Sequence, residues 1–119
     1  MLELTLEMRR TELREARDAV RRALGVDLID KDHVGDVVVV VDELIAAARE
    51  CEVTNPLQLT VQTYPQLTSV RLRCDRNVEL RDKPFDIREL VIQRLVIAFG
   101  RRRRDDGSVD LWAEIPRRK

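Results

Sequence analysis

The chain has 119 residues with 22 basic and 22 acidic side chains, and its net charge of zero leaves no whole-molecule field to draw it onto nucleic acid or an anionic membrane. Its length suits a single domain, residues 1–119, that buries about two-thirds of its unfolded surface. Because 44% of the residues are hydrophobic but only 3% aromatic, the core must be aliphatic.

No apolar run approaches the roughly 20 residues needed to span a bilayer, and the first residues lack the order of a signal peptide. The expectation is a cytoplasmic protein without membrane contact. In that compartment Cys51 and Cys74 read as free thiols and small core hydrophobes. His33 reads as a surface residue ahead of a helix. No Cys-x-x-Cys or His-x-x-x-His spacing is present, so a thiol or imidazole metal site is not expected.

Leu2, Leu4 and Leu6 alternate with polar residues, which predicts a first strand. Thr11 can cap a following helix with Leu13, Ala16, Val20, Ala23 and Leu24 on one face, and Gly25 can stop it in the left-handed conformation. The valine run Val37 to Val41 could be strand or helix. From Asp32 onward, however, Val37, Val41, Leu44 and Ala48 make one helical stripe that continues without a turn signal to Cys51, so a helix is predicted. The valines lower helix propensity by a few tenths of a kcal/mol each, against about 1.5 kcal/mol or more gained by burying each one.

Asn55 and Pro56 then break the chain. Residues 57–64 and 67–74 alternate as two strands around a tight turn at Pro65 and Gln66, and residues 75–85 read as a loop. Asp86 and Glu89 resemble a capping box for an apolar helix that Gly100 can end. Arg101 to Gly107 reads as a charged turn, and 108–115 as a last strand with Val109, Leu111, Ala113 and Ile115 on one side and Trp112 on the other. A sheet of about four strands covered by helices on one face follows.

This order, with Asp42-Glu43-Leu44 on the second helix and Asp75 closing the third strand, resembles the GHKL (histidine-kinase-like) ATPases over nearly the whole chain, in particular the RsbW-type anti-sigma factors with serine-kinase activity. The resemblance implies a Bergerat-like α/β (α+β) two-layer sandwich of about four mostly antiparallel strands and three helices. In that family a Glu-Leu-x-x-Asn-Ala motif on the second helix supplies a Glu that activates the nucleophile and an Asn that holds Mg²⁺. Glu43, Leu44 and Ala48 match that motif, but Ala47 stands at the magnesium position. A methyl group offers no oxygen to a metal whose charge phosphoryl transfer depends on.

The family's Asp-x-Gly for adenine appears as Asp75-Arg76-Asn77, with Asn77 replacing the glycine. Its glycine-rich phosphate lid corresponds to residues 81–91, which contain no glycine and place Asp86 and Glu89 where phosphate would meet a helix N-terminus. The resemblance therefore implies a catalytically inactive regulator with a vestigial Glu43 and no expected ATP or Mg²⁺ cofactor. Its partner would be a sigma factor or an anti-anti-sigma protein, homodimerisation is compatible, and Trp112 is a candidate interface anchor. One alternative is an active ATP-dependent serine kinase using Glu43, Asp75 and Mg²⁺. The other is a nucleic-acid protein acting through Arg101 to Arg104, which the adjoining Asp105 and Asp106 disfavour.

Overall fold

The computed structural model describes residues 3–8, 13–26, 30–50, 57–74 and 94–117. Chain order is β1 (Glu3–Met8), α1 (Leu13–Val26), α2 (Lys31–Glu50), β2 (Leu57–Thr63), β3 (Leu67–Cys74), β4 (Ala98–Arg103) and β5 (Val109–Pro116). The strands form one five-stranded sheet in the order β1-β2-β3-β5-β4, and every neighbouring pair is antiparallel.

The valine run settles as helix, and its burial shows why. Val37, Val38, Val40 and Val41 are buried whereas Val39 is exposed. A strand would have put Val37, Val39 and Val41 together, so the observed phase is helical. Leu44 and Ile45 continue the buried stripe. In α1 the stripe is Ala16, Val20 and Leu24, spaced four apart, which places all three on one side of the helix.

α1 packs against α2 and β1, while α2 lies across β3 and β5. Under them the sheet contributes Leu59, Val61, Val70 and Leu72 from its middle and Leu111 and Ile115 from β5, all buried. The result is a two-layer arrangement with an aliphatic interior. An ion pair from Arg17 Nε to Asp42 Oδ1 at 2.8 Å ties the two helices together.

The β2–β3 hairpin turns where Pro65 and Gln66 suggested, with Tyr64 N donating to the Leu67 carbonyl at 2.8 Å. Cys74, which forms no disulfide, is buried on the helical side of β3. Cys51 lies outside the described residues.

Several expectations are corrected. The sheet has five strands, not about four. Two helices have full bounds among the described residues; most of the predicted third lies outside them, and Arg94 and Leu95 are helical, but the helix does not run on to Gly100. Ile97 N already donates to the Glu114 carbonyl at 3.0 Å, and Ala98–Arg103 forms β4.

The supposed charged turn is accordingly half strand: Arg101, Arg102 and Arg103 pair with Leu111, Asp110 and Val109. Only the segment after them reverses, where Gly107 takes a left-handed φ of 86°. Asp106 Oδ1 fixes that reversal by accepting from Ser108 N at 2.9 Å and Ser108 Oγ at 2.5 Å, the local side-chain bonding that favours acidic residues in turns.

Gly25 is not a left-handed stop, because it lies within α1 and its φ is not positive. Nor is Gly100 a helix end, since it sits inside β4 opposite Trp112.

Candidate functional site

Two regions collect polar side chains over this frame, one along α2 and one on the side of the sheet away from the helices. On α2, Asp42 points to Arg17 of α1. The next residue, Glu43, is about 100° further round the helix, so it falls on another side of α2, where it is half-buried and already engaged.

Ala47 follows one turn later in the same helix. A nucleotide-bound Mg²⁺ in the family arrangement needs a side-chain oxygen at that position, and alanine has none. Asp75 and Asn77, the adenine candidates, and residues 81–91, the lid counterpart, lie outside the described residues. Of the positions such a site would use, only Glu43 and Ala47 are described, and Ala47 offers no oxygen to a metal ion.

His33 belongs to α2 itself, not to a surface loop, and it is fully buried. Its Nε2 lies 2.6 Å from the Thr68 hydroxyl oxygen, itself buried on β3, so the pair pins the first turn of α2 to the sheet. Among the described residues Nδ1 has no hydrogen-bond partner of good geometry. Burial pushes the imidazole below its ordinary pKa, and the positive charge of Arg117 pushes it the same way. Asp36, the Pro116 carbonyl and Asp30 act in the opposite direction without prevailing. The neutral ring is therefore the folded form, as expected for a desolvated base. A signal for its burial is in the sequence, because His33 lies one turn before Val37 and so on the same stripe.

The outer face is built by strand alternation. Opposite the buried residues of β2, β3 and β5 stand three cross-strand rows. One contains Gln58, Arg73, Asp110 and Arg102, the next Thr60, Arg71, Trp112 and Gly100, and the third Gln62, Ser69, Glu114 and Ala98. In the first row, Asp110 is buried and accepts from Arg73 Nε at 3.2 Å and Arg104 Nη1 at 3.3 Å, so its charge is answered from both sides.

In the second row the Trp112 indole reaches across to β4. A Cβ on Gly100 would stand 3.0 Å from Trp112 Cζ2 and 3.2 Å from Cε2. The glycine thus leaves the space in which the indole lies, the usual partnership of an aromatic with a strand glycine.

Around the indole is a shallow concavity of about 360 Å³, bordered by Arg71 and Arg102, with Gln62, Ser69 and Glu114 along one end. Arg71 and Arg102 are exposed. Trp112, flagged from sequence as an interface candidate, is half-buried there. The arrangement around it, including the Asp110 clamp, could not be read from local sequence because each contact crosses strands.

Strand alternation divides Arg101, Arg102 and Arg103 between the two sides of β4. Arg101 and Arg103 share the sides of Leu111 and Val109, toward the helices, while Arg102 shares the outer side of Asp110. Arg104 is spent on Asp110. Among the described residues no group of three or more His, Cys, Asp or Glu side chains is placed to hold a metal ion, and no helix is long and apolar enough to cross a membrane. A scan against protein-family models gives no match, and no curated protein matches the chain.

Proposed function

We propose that this chain is a regulatory protein on a histidine-kinase-like frame, acting by binding another protein and not by phosphoryl transfer. The carrying observation is Ala47, a methyl group one turn after Glu43 on the helix that crosses β3 and β5. An antiparallel sheet covered by α1 and α2 supports the frame, and the glycine-free stretch 81–91 supports the loss of chemistry. The resemblance supplies the partner class, a sigma factor or an anti-anti-sigma protein, and self-association into a dimer is compatible with it. The residues themselves supply no partner name.

Titration calorimetry with MgATP at millimolar concentration tests the proposal, and no binding heat is expected. Micromolar affinity, or transfer of the terminal phosphate to a protein serine, would overturn it in favour of an active serine kinase. Ala47→Asn restores an oxygen at the critical position, so weak magnesium-dependent nucleotide binding is expected from that variant. If it gains none while remaining folded, the histidine-kinase-like frame itself loses its support.

A further inference from the structure

We infer that the outer face of the sheet is a docking site for an acidic, partly apolar segment of another protein, seated on the Trp112 indole and gripped by Arg71 and Arg102. The inference rests on the protein-binding reading above and names the surface that performs it.

Three observations carry it. The indole lies in the space left open by Gly100, so the apolar platform is preorganised and loses little freedom on binding. Arg71 pairs in register with Trp112, and Arg102 neighbours Gly100 along β4, so the platform has a guanidinium toward each side.

The third observation is charge. Asp110 is occupied by Arg73 and Arg104, and among the described residues no ion pair engages Arg71 or Arg102. The concavity therefore presents two available cations against the one carboxylate of Glu114. Carboxylates are the complementary ligands, and arginine can take each one through two parallel hydrogen bonds.

The same layout favours a peptide over nucleic acid. A phosphate backbone carries a charge at every nucleotide and would pass Glu114, whereas a peptide can place discrete acids on the two arginines. Its backbone amides can then meet Glu114, Ser69 and Gln62, which line one end of the concavity. An apolar side chain between the acids would cover the indole, the kind of central aromatic contact that dominates interface energetics.

Trp112 is the chain's single tryptophan, so its fluorescence reports this face without interference. The full chain is titrated with a blocked hexapeptide of glutamates flanking two leucines, with the same peptide carrying lysine for glutamate, and with a short oligothymidylate. A saturable emission shift is expected with the acidic peptide alone, weakening as salt is raised. Arg71→Glu and Arg102→Glu should each weaken binding by roughly tenfold or more, the scale of a lost charge-assisted hydrogen bond. Arg71→Gln serves where charge reversal disturbs folding, as judged by circular dichroism.

No saturable shift up to millimolar peptide, equal binding of the lysine peptide, or unchanged affinity in the arginine variants would overturn the docking site. Tighter arginine-dependent binding of oligothymidylate would overturn it in favour of phosphate recognition. Nucleotide is absent from this titration. Peptide failure with no ATP binding therefore removes only the docking surface, and ATP binding with a positive peptide result removes only the inactive reading.

Discussion

Replacing Gly100 tests the outer face where its geometry is tightest. Glycine at a strand position without positive φ normally costs stability, so Gly100→Ala should gain about 0.4–1 kcal/mol through a less flexible unfolded chain. Against this, the new methyl would stand 3.0 Å from Trp112 Cζ2 and 3.2 Å from Cε2, so the indole must move by a few tenths of an ångström. The two effects are of similar size, and Gly100→Ala is expected to be close to neutral in stability while shifting Trp112 emission.

Gly100→Val changes the balance. Valine gains at most about 1 kcal/mol more from strand propensity, while its two further methyl groups overfill the space beneath the ring. Overpacking of that kind costs about 1–3 kcal/mol. A net loss of about 1 kcal/mol or more is expected, lowering the melting temperature by roughly 4 °C in a chain of this size, with a red shift as the displaced indole meets water. Thermal melts by circular dichroism and emission spectra of the folded variants measure both quantities. If Gly100→Val melts no lower than the parent and leaves emission unchanged, the indole is not seated on Gly100, and the preorganised platform is lost as an argument.

His33 provides a pH test, and as the chain's one histidine it titrates alone in its range. Its folded pKa lies below the ordinary value because of burial and Arg117, so below about pH 6.5 the unfolded chain binds a proton that the folded chain resists. Stability should hold above that pH and fall as pH drops from there toward the folded pKa. Urea midpoints for the parent and for His33→Gln should diverge in this window, and equal slopes would show that the imidazole is not held neutral. In the core, Leu44 is fully buried beside Glu43, and Leu44→Ala should cost about 2–5 kcal/mol in urea unfolding. A loss well under about 1 kcal/mol would mean that α2 does not bury this side chain.

The elements legible in the sequence are those whose burial repeats along the chain. α2 could be read because valine burial follows a period of 3.6, and β2, β3 and β5 because one side of each is mainly apolar, with Thr63 and Thr68 the polar members. β4 could not be read that way. It is an edge strand with three arginines, and an edge needs no alternation because charge is tolerated on either side and discourages unwanted strand pairing. Ala98 and Phe99 extend the apolar run before them, while Gly100 and the arginines imitate a helix stop and a turn. Local chemistry therefore favoured the wrong element, and only the hydrogen-bonded ladder with β5 decides the matter.

The same distinction governs the sites. That Glu43 and Ala47 lie one turn apart on α2 was legible because their relation is four residues on one helix, a spacing carried by the sequence itself. The outer face is different, since Arg71 and Trp112 are brought together by the β3–β5 register, and Trp112 and Gly100 by that of β4 and β5. A one-residue slip in either pairing would send one partner to the helical side. The register is held by the opposite, apolar face, where Leu72 meets Leu111 and Val70 meets Ala113. The aliphatic core thus sets the positions of the polar residues on the far side. A cavity under the sheet, as Leu44→Ala creates, should therefore weaken folding before it disturbs Trp112, whereas Gly100→Val should move the indole at far smaller cost in stability. Finding the reverse order in emission and unfolding would mean that the two faces are not linked by strand register alone.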